Sequence, residues 1–206
     1  MPKARLILLR HGQAEWNVEG RYQGQLDSPL TAAGRAQAEA LATRLARQRA
    51  AALYSSDLGR AQETARLVAK AAGLPVILES RLRERHLGLF QGLRKSEIRE
   101  KFPEEYRRFK SDSDYIVPGG ESARQFAARV IDCLEEIASR HGGQEIVVVT
   151  HGGPVSSLLC HTLNIPLGGP RRFERPNASW NVFLFDNGKW LLETWGDASH
   201  LAPGII

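Results

Sequence analysis

Two short stretches of this chain place reactive side chains where a strand should end. His11 follows Arg10 and precedes Gly12 in L-L-R-H-G, and His151 follows Thr150 and precedes two glycines in V-V-T-H-G-G. Imidazole is nucleophilic when neutral and titrates near pH 7. Guanidinium forks match the oxygens of a phosphoryl group. Arg10 and Arg60 together with His11 and His151 therefore point to phosphate as the ligand. Arginines beside His11 should lower its pKa and favour the neutral, attacking form. Attack on phosphorus would give a phosphohistidine that water or a second alcohol discharges. The leaving alkoxide needs a proton, and Glu84, in L-R-E-R-H-L-G, is the acid expected to supply it.

The elements needed to bring these groups together are legible. Leu6-Ile7-Leu8-Leu9 and E-I-V-V-V-T (145–150) read as strands buried on both faces. In open α/β sheets ligands bind beyond the carboxyl ends of the strands, so His11 and His151 should reach the same edge. A glycine behind each histidine, Gly12 and Gly152, would let backbone amides approach the ligand. Arg60 falls in the first turns of a helix that runs from Leu58 to Ala72 and ends at Gly73. Thr31 is placed to cap a helix with an apolar face at Ala38, Leu41, Ala42 and Leu45. Further strands are expected at A-A-L-Y-S and Val76–Leu78, further helices at Ser122–Arg140 and Pro154–Leu163, and a hairpin turning at Asp186-Asn187-Gly188-Lys189. The alternation predicts a three-layer α/β/α sandwich with a mostly parallel sheet, a single domain over 1–206. The charged, turn-rich stretch 81–118 reads as a small helical insertion covering the site.

Bulk properties exclude several classes. The 206 residues include 28 Lys+Arg and 23 Asp+Glu, a formal charge of +5, yet the basic residues are scattered and no aromatic–basic stripe appears, so a nucleic-acid partner is not expected. No segment approaches a membrane span and the N-terminal apolar run is too short for a signal peptide, so the cytoplasm is the expected compartment. Cys133 and Cys160 fall in predicted helices without metal-type spacing and read as buried, reduced thiols. The P-loop motif is absent, and so is the H-E-x-x-H spacing a metal hydrolase would use. His86, His141, His161 and His200 read as non-catalytic. The sequence leaves the oligomeric state open, a homodimer included.

R-H-G with Asn17, then G-R-Y-Q-G-Q-L-D-S-P-L-T-A-A-G-R, S-S-D-L-G-R-A-Q-E-T-A, L-R-E-R-H-L-G-L-F-Q-G, G-G-E-S and V-T-H-G-G together resemble the histidine phosphatase (phosphoglycerate mutase-like) superfamily over nearly the whole chain. The resemblance implies His11 as the phosphorylated nucleophile, Arg10, Arg60 and His151 as the phosphate pocket and Glu84 as proton donor. It also implies Asn17 and Gln23 as further phosphate or substrate contacts, with neither metal nor cofactor required. Two branches compete. Cofactor-dependent mutases, which use 2,3-bisphosphoglycerate, usually carry a tyrosine where this chain has Leu87, and a longer proline-rich insertion in the cover. R-Y-Q-G-Q-L-D-S-P-L-T and R-P-N-A-S-W-N-V-F-L-F-D-N-G-K-W look more like the phosphatase branch, and a shorter cover admits water. The expected reaction is hydrolysis of a small phosphorylated metabolite. Arg171, Arg172 and Arg175 hint at a substrate carrying a carboxylate or second phosphate, such as a phosphoglycerate or phosphoserine.

Overall fold

The computed structural model describes residues 2–167 and 172–202. Six strands form one sheet: β1 (Ala4–Arg10), β2 (Ala52–Ser55), β3 (Val76–Leu78), β4 (Glu145–Thr150), β5 (Trp180–Asp186) and β6 (Lys189–Asp197). Their order is β3-β2-β4-β1-β5-β6. The first four are parallel, and β5 and β6 add antiparallel at one edge. The α/β class and the mostly parallel sheet expected from the alternation are what the structure has. The Asn187-Gly188 turn has positive φ at both residues, 48° and 77°, the left-handed pair that a two-residue hairpin demands.

The aliphatic runs are buried on both faces because helices cover both. Leu6 and Leu8 of β1, with Ile146 and Val148 of β4, point into a core closed by α6 (Ala123–Arg140) and α7 (Gly152–Thr162). Ile7, Leu9, Val147 and Val149 point the other way, onto α2 (Ala32–Leu45) and α3 (Gly59–Ala72). Each of these side chains, fully buried, contributes about 1.5–3 kcal/mol. Helix ends follow their cap chemistry. Thr31 Oγ1 accepts the Gly34 N–H at 2.9 Å, Ser122 and Gln125 form a capping box, and Gly73 ends α3 with φ 66°. α7 starts at Gly152, two residues before the expected Pro154, since proline is tolerated within a first helical turn whose N–H groups need no intrahelical partner. Cys133 and Cys160 are buried thiols.

The short helices α1 (Glu15–Val18), α4 (Lys95–Lys101) and α5 (Pro103–Ser111) stand apart from the two main cores. Leu87, Phe90, Ile98 and Val117 make a third apolar cluster with Phe102, Tyr106, Phe109 and Tyr115, and Tyr22 joins it from the loop after α1. Specific bonds tie the start of this segment to β4, to α6 and to the loop after β2. Thr150 Oγ1 donates to the Leu82 carbonyl at 2.7 Å, and Arg129 Nη1 donates to the Arg81 carbonyl at 2.7 Å. The Arg83 guanidinium grips both oxygens of Asp57 at 2.7 and 2.6 Å. Among the described residues no helix is long and apolar enough to cross a membrane.

Candidate active site

The two histidines meet because of strand register. β1 and β4 are parallel neighbours with Arg10 opposite Thr150, and the His11 N–H donates to the Thr150 carbonyl at 2.9 Å. The next residue on each strand is a histidine, and the ring centroids lie 5.2 Å apart, edge to face at 63°. The chain leaving β1 builds α2 on one face, while the chain leaving β4 builds α7 on the other. The divergence opens a crevice at this point of the sheet edge.

His11 is held in one tautomer. Its Nδ1 lies 2.7 Å from the Gly12 carbonyl, and a carbonyl can only accept, so Nδ1 carries the proton and Nε2 keeps its lone pair. The imidazolium is strongly disfavoured: burial is the largest cause, with Arg60 and then Arg10 adding repulsion. The arginines invoked from sequence do act in that direction, but loss of solvent outweighs them.

Around His11 stand buried donors. Arg60, 2% exposed, donates from Nη1 to the Leu26 carbonyl at 2.8 Å and Asp27 Oδ1 at 2.9 Å, and from Nη2 to the Gly24 carbonyl at 2.9 Å. Arg10 donates from Nη1 to the Arg175 carbonyl. Burial, with Arg175 beside it, pushes the Arg10 guanidinium down to about 10. Arg10 Nε, Arg60 Nε and His151 Nδ1 are buried without a hydrogen-bond partner. Each such group costs about 1–3 kcal/mol, and a tetrahedral oxyanion set among them would relieve that cost.

Glu84 enters from the cover. Its Oε2 accepts the Gly153 N–H at 2.8 Å and its Oε1 the Arg85 N–H at 2.9 Å. A cavity of about 710 Å³ is lined by Arg10, His11, Asn17, Gln23, Arg60, Glu84 and Gly152 among others. His151, fully buried, sets its ring edge to face with that of His11 and its Nε2 2.8 Å from Ser56 Oγ. The structure thus brings Arg10, His11, Asn17, Gln23, Arg60, Glu84 and Gly152 around one cavity, with the His151 ring against that of His11. Asn17 Oδ1 accepts from the Ala14 N–H at 2.9 Å and Asn177 Nδ2 at 3.2 Å; Gln23 Oε1 accepts from Ser28 Oγ at 3.3 Å.

Three comparisons bear on this geometry. Residues 6–198 match the family model described as histidine phosphatase superfamily (branch 1). The chain belongs to that superfamily. It is 43% identical over 201 residues to a metal-independent phosphoserine phosphatase of Arabidopsis thaliana, covering 96% of this chain and 83% of that one. It is 40% identical over 203 residues to phosphoserine phosphatase 1 of Hydrogenobacter thermophilus, covering 98% and 96%. A mycobacterial glucosyl-3-phosphoglycerate phosphatase superposes with TM-score 0.83 at 35% identity, covering 95% of this chain and all of that one. The chain is a phosphatase of the histidine phosphatase superfamily, and this reading fits better than the mutase one.

Several expectations need adjustment within this histidine phosphatase. Gly12 is required by packing and not by ligand approach: a β-carbon there would stand 2.2 Å from the Gly34 carbonyl oxygen of α2, and its N–H donates to Thr64 Oγ1 at 3.1 Å. Of the three basic residues expected to set specificity, Arg175 lines the cavity, and Arg172 is exposed and not among the lining residues. Arg171 lies outside the described residues. Ser56 and Asn177 are additions that the sequence does not suggest. Asn177 Nδ2 donates to the His11 carbonyl at 3.2 Å, and nothing in R-P-N-A-S announces this, because the contact depends on how β5 enters the sheet. Among the described residues no group of three His, Cys, Asp or Glu side chains could hold a metal ion.

Proposed function

We propose that His11 is the nucleophile of a two-step hydrolysis and Glu84 its general acid and base. His11 Nε2 attacks phosphorus, forming an N–P bond as the ester P–O bond breaks. The Glu84 carboxyl passes its proton to the departing oxygen. Water then attacks the phosphohistidine, giving its proton to the Glu84 carboxylate as the N–P bond breaks, which restores neutral His11 and releases phosphate. Arg10, Arg60 and His151 hold the phosphoryl oxygens, with Gly152 at the start of α7 and the amide groups of Asn17 and Gln23 as further donors. The observation that carries this reading is a histidine whose Nε2 lone pair is fixed by tautomer, set against the His151 ring and under the charges of Arg60 and Arg10.

The substrate we assign is a small monoester carrying a carboxylate near its phosphate, of the phosphoserine or phosphoglycerate type. Six arginine and lysine side chains against two carboxylates line the cavity, and Arg175 stands next to the phosphate-binding Arg10. The relatives named above are consistent with that class. Segment 81–118 is the cover of a single domain, and its aromatic cluster faces the alcohol side of the substrate. Buried cysteines held as thiols suit a reducing compartment, the cytoplasm.

The test is phosphate release over a panel of monoesters, including phosphoserine and 3-phosphoglycerate, with and without 2,3-bisphosphoglycerate. Hydrolysis lost in His11→Ala, with an acid-labile phosphoryl adduct trapped on His11, is the expected result. Isomerisation of 3-phosphoglycerate outpacing hydrolysis would overturn it in favour of the mutase.

A further inference from the structure

We propose that Ser56 is a positioning residue: its hydroxyl donates to His151 Nε2 and so fixes the His151 proton on Nδ1, the nitrogen that serves a phosphoryl oxygen. This rests on the reading of His151 as part of the phosphate pocket, and concerns how that ring is kept in working order.

Ser56 is fully buried at the end of β2, where its N–H donates to the Val149 carbonyl at 2.9 Å and so fixes it beside β4. Its Oγ has one proton to give and lone pairs to offer. The Leu58 N–H donates to that oxygen at 3.3 Å, and His151 Nε2 lies 2.8 Å away. Among the described residues no other acceptor for the Ser56 proton stands within reach. If His151 carried its proton on Nε2, both groups would be donors in one 2.8 Å contact or the hydroxyl proton would be stranded in the interior, an arrangement folded proteins avoid. If Ser56 donates, every proton in the contact has an acceptor. The proton of neutral His151 then sits on Nδ1.

Nδ1 is the nitrogen the protein leaves unpartnered and buried, in a ring 5.2 Å from that of His11. An N–H there donates to the oxyanion that forms as His11 attacks. A bare lone pair in its place would repel the same oxygens. His151 is also held neutral, burial being the largest cause and Arg60 the next, so its service to the phosphoryl group depends on the tautomer and not on a charge. Two residues separate Ser56 from the helix that carries Arg60, and one strand end thus sets two of the pocket's donors.

Long-range ¹H–¹⁵N correlation on protein labelled at histidine nitrogen reads the tautomer directly, with His151→Gln used to assign the ring. The expected wild-type spectrum has Nδ1 protonated and Nε2 bare. In Ser56→Ala the Nε2–H form should become populated, and kcat should fall about 10- to 100-fold, as for other lost orienting bonds, with KM within about threefold of wild type. Ser56→Thr, which keeps the hydroxyl, should restore the wild-type tautomer and most of kcat. A protonated Nε2 in the wild type would overturn the inference, as would a Ser56→Ala spectrum unchanged from it. A loss confined to KM would overturn the transition-state role. Should Ser56→Ala fail to fold, the wild-type spectrum alone decides. Wild-type protein with the expected tautomer but no phosphatase activity on any monoester would instead sink the proposed function and leave the tautomer assignment standing.

Discussion

Glu84 and Gly153 are fitted to one another across the gap between cover and sheet. The Gly153 N–H donates to Glu84 Oε2 at 2.8 Å, and a β-carbon at 153 would stand 1.8 Å from Glu84 Oε1 and 2.9 Å from the Phe126 ring. Neither Phe126, packed in the core, nor the helix backbone can retreat, so the carboxyl must.

Gly153→Ala therefore displaces the proposed acid while leaving His11 and the arginines in place. On an alkyl phosphate, whose leaving group needs a proton, kcat should fall about 100-fold, the lower end of what general acid catalysis contributes. On an aryl phosphate with an acidic phenol the fall should be much smaller. Equal losses on the two substrates would show that the substitution acts on something other than proton delivery.

The Asp27–Arg60 pair yields a second prediction. Arg60 is buried while Asp27 is more than a third exposed, so the carboxylate stands at the rim and the guanidinium bears the cost of burial. Asp27→Asn leaves that charge less compensated and should lower stability by about 1–2 kcal/mol, below the loss seen when a fully buried pair is broken. Inorganic phosphate then becomes the better counter-charge. It should raise the melting temperature of Asp27→Asn by more than it raises that of the wild type; equal shifts would mean phosphate does not bind against Arg60.

Asn177 closes the loop that carries His11. Its Nδ2 donates toward the carbonyls of His11 and Gly12, at 3.2 and 3.4 Å, and toward Asn17 Oδ1 at 3.2 Å. Those three oxygens can only accept. Asn177→Ala should lower kcat/KM about tenfold by loosening them. Asn177→Asp should do worse, because a carboxylate would face three oxygens with no proton to offer. Steady-state assays in which Asn177→Asp equals or outperforms Asn177→Ala would contradict this account.

How much of this is readable from the sequence varies with the range of the contact. The strand ends at His11 and His151, the Thr31 cap, the Gly73 stop and the Asn187-Gly188 turn are local consequences of side-chain type, and each stands where residue pattern puts it. That the two histidines meet is a longer inference, made from the rule that strand ends share an edge; the structure adds the Arg10–Thr150 register that makes them neighbours. Gly12 misleads because its neighbour, Gly34, lies on a helix 22 residues away, and no local pattern tells a glycine needed for ligand approach from one needed for packing. Ser56, Asn177 and the placing of Arg175 escape the sequence for the same reason: each serves the site through a partner 95, 166 or 165 residues distant.

The buried histidines make stability depend on pH in a window that carboxylates do not share. His11 and His151 are held neutral, their pKa values well below the usual 6.5 through burial first and Arg60 next; His200 is lowered by burial and by Arg44. In the unfolded chain all three would take up a proton near pH ~6.5. A folded state that resists the proton is at full stability above that pH and loses stability as pH falls, by up to about 1.4 kcal/mol per pH unit for each histidine. The carboxylates held low by arginine partners, Asp57, Glu79 and Asp197, begin to act only near the ordinary carboxylate range, about pH 4. Between about pH 6.5 and 5 the histidines therefore dominate. Urea unfolding across that interval should show a steep decline for the wild type and a shallower one for His11→Asn, by about 1.4 kcal/mol per pH unit. Parallel curves would mean that His11 is not held neutral by its surroundings, and the lone pair assigned to its Nε2 would no longer be secured by the fold.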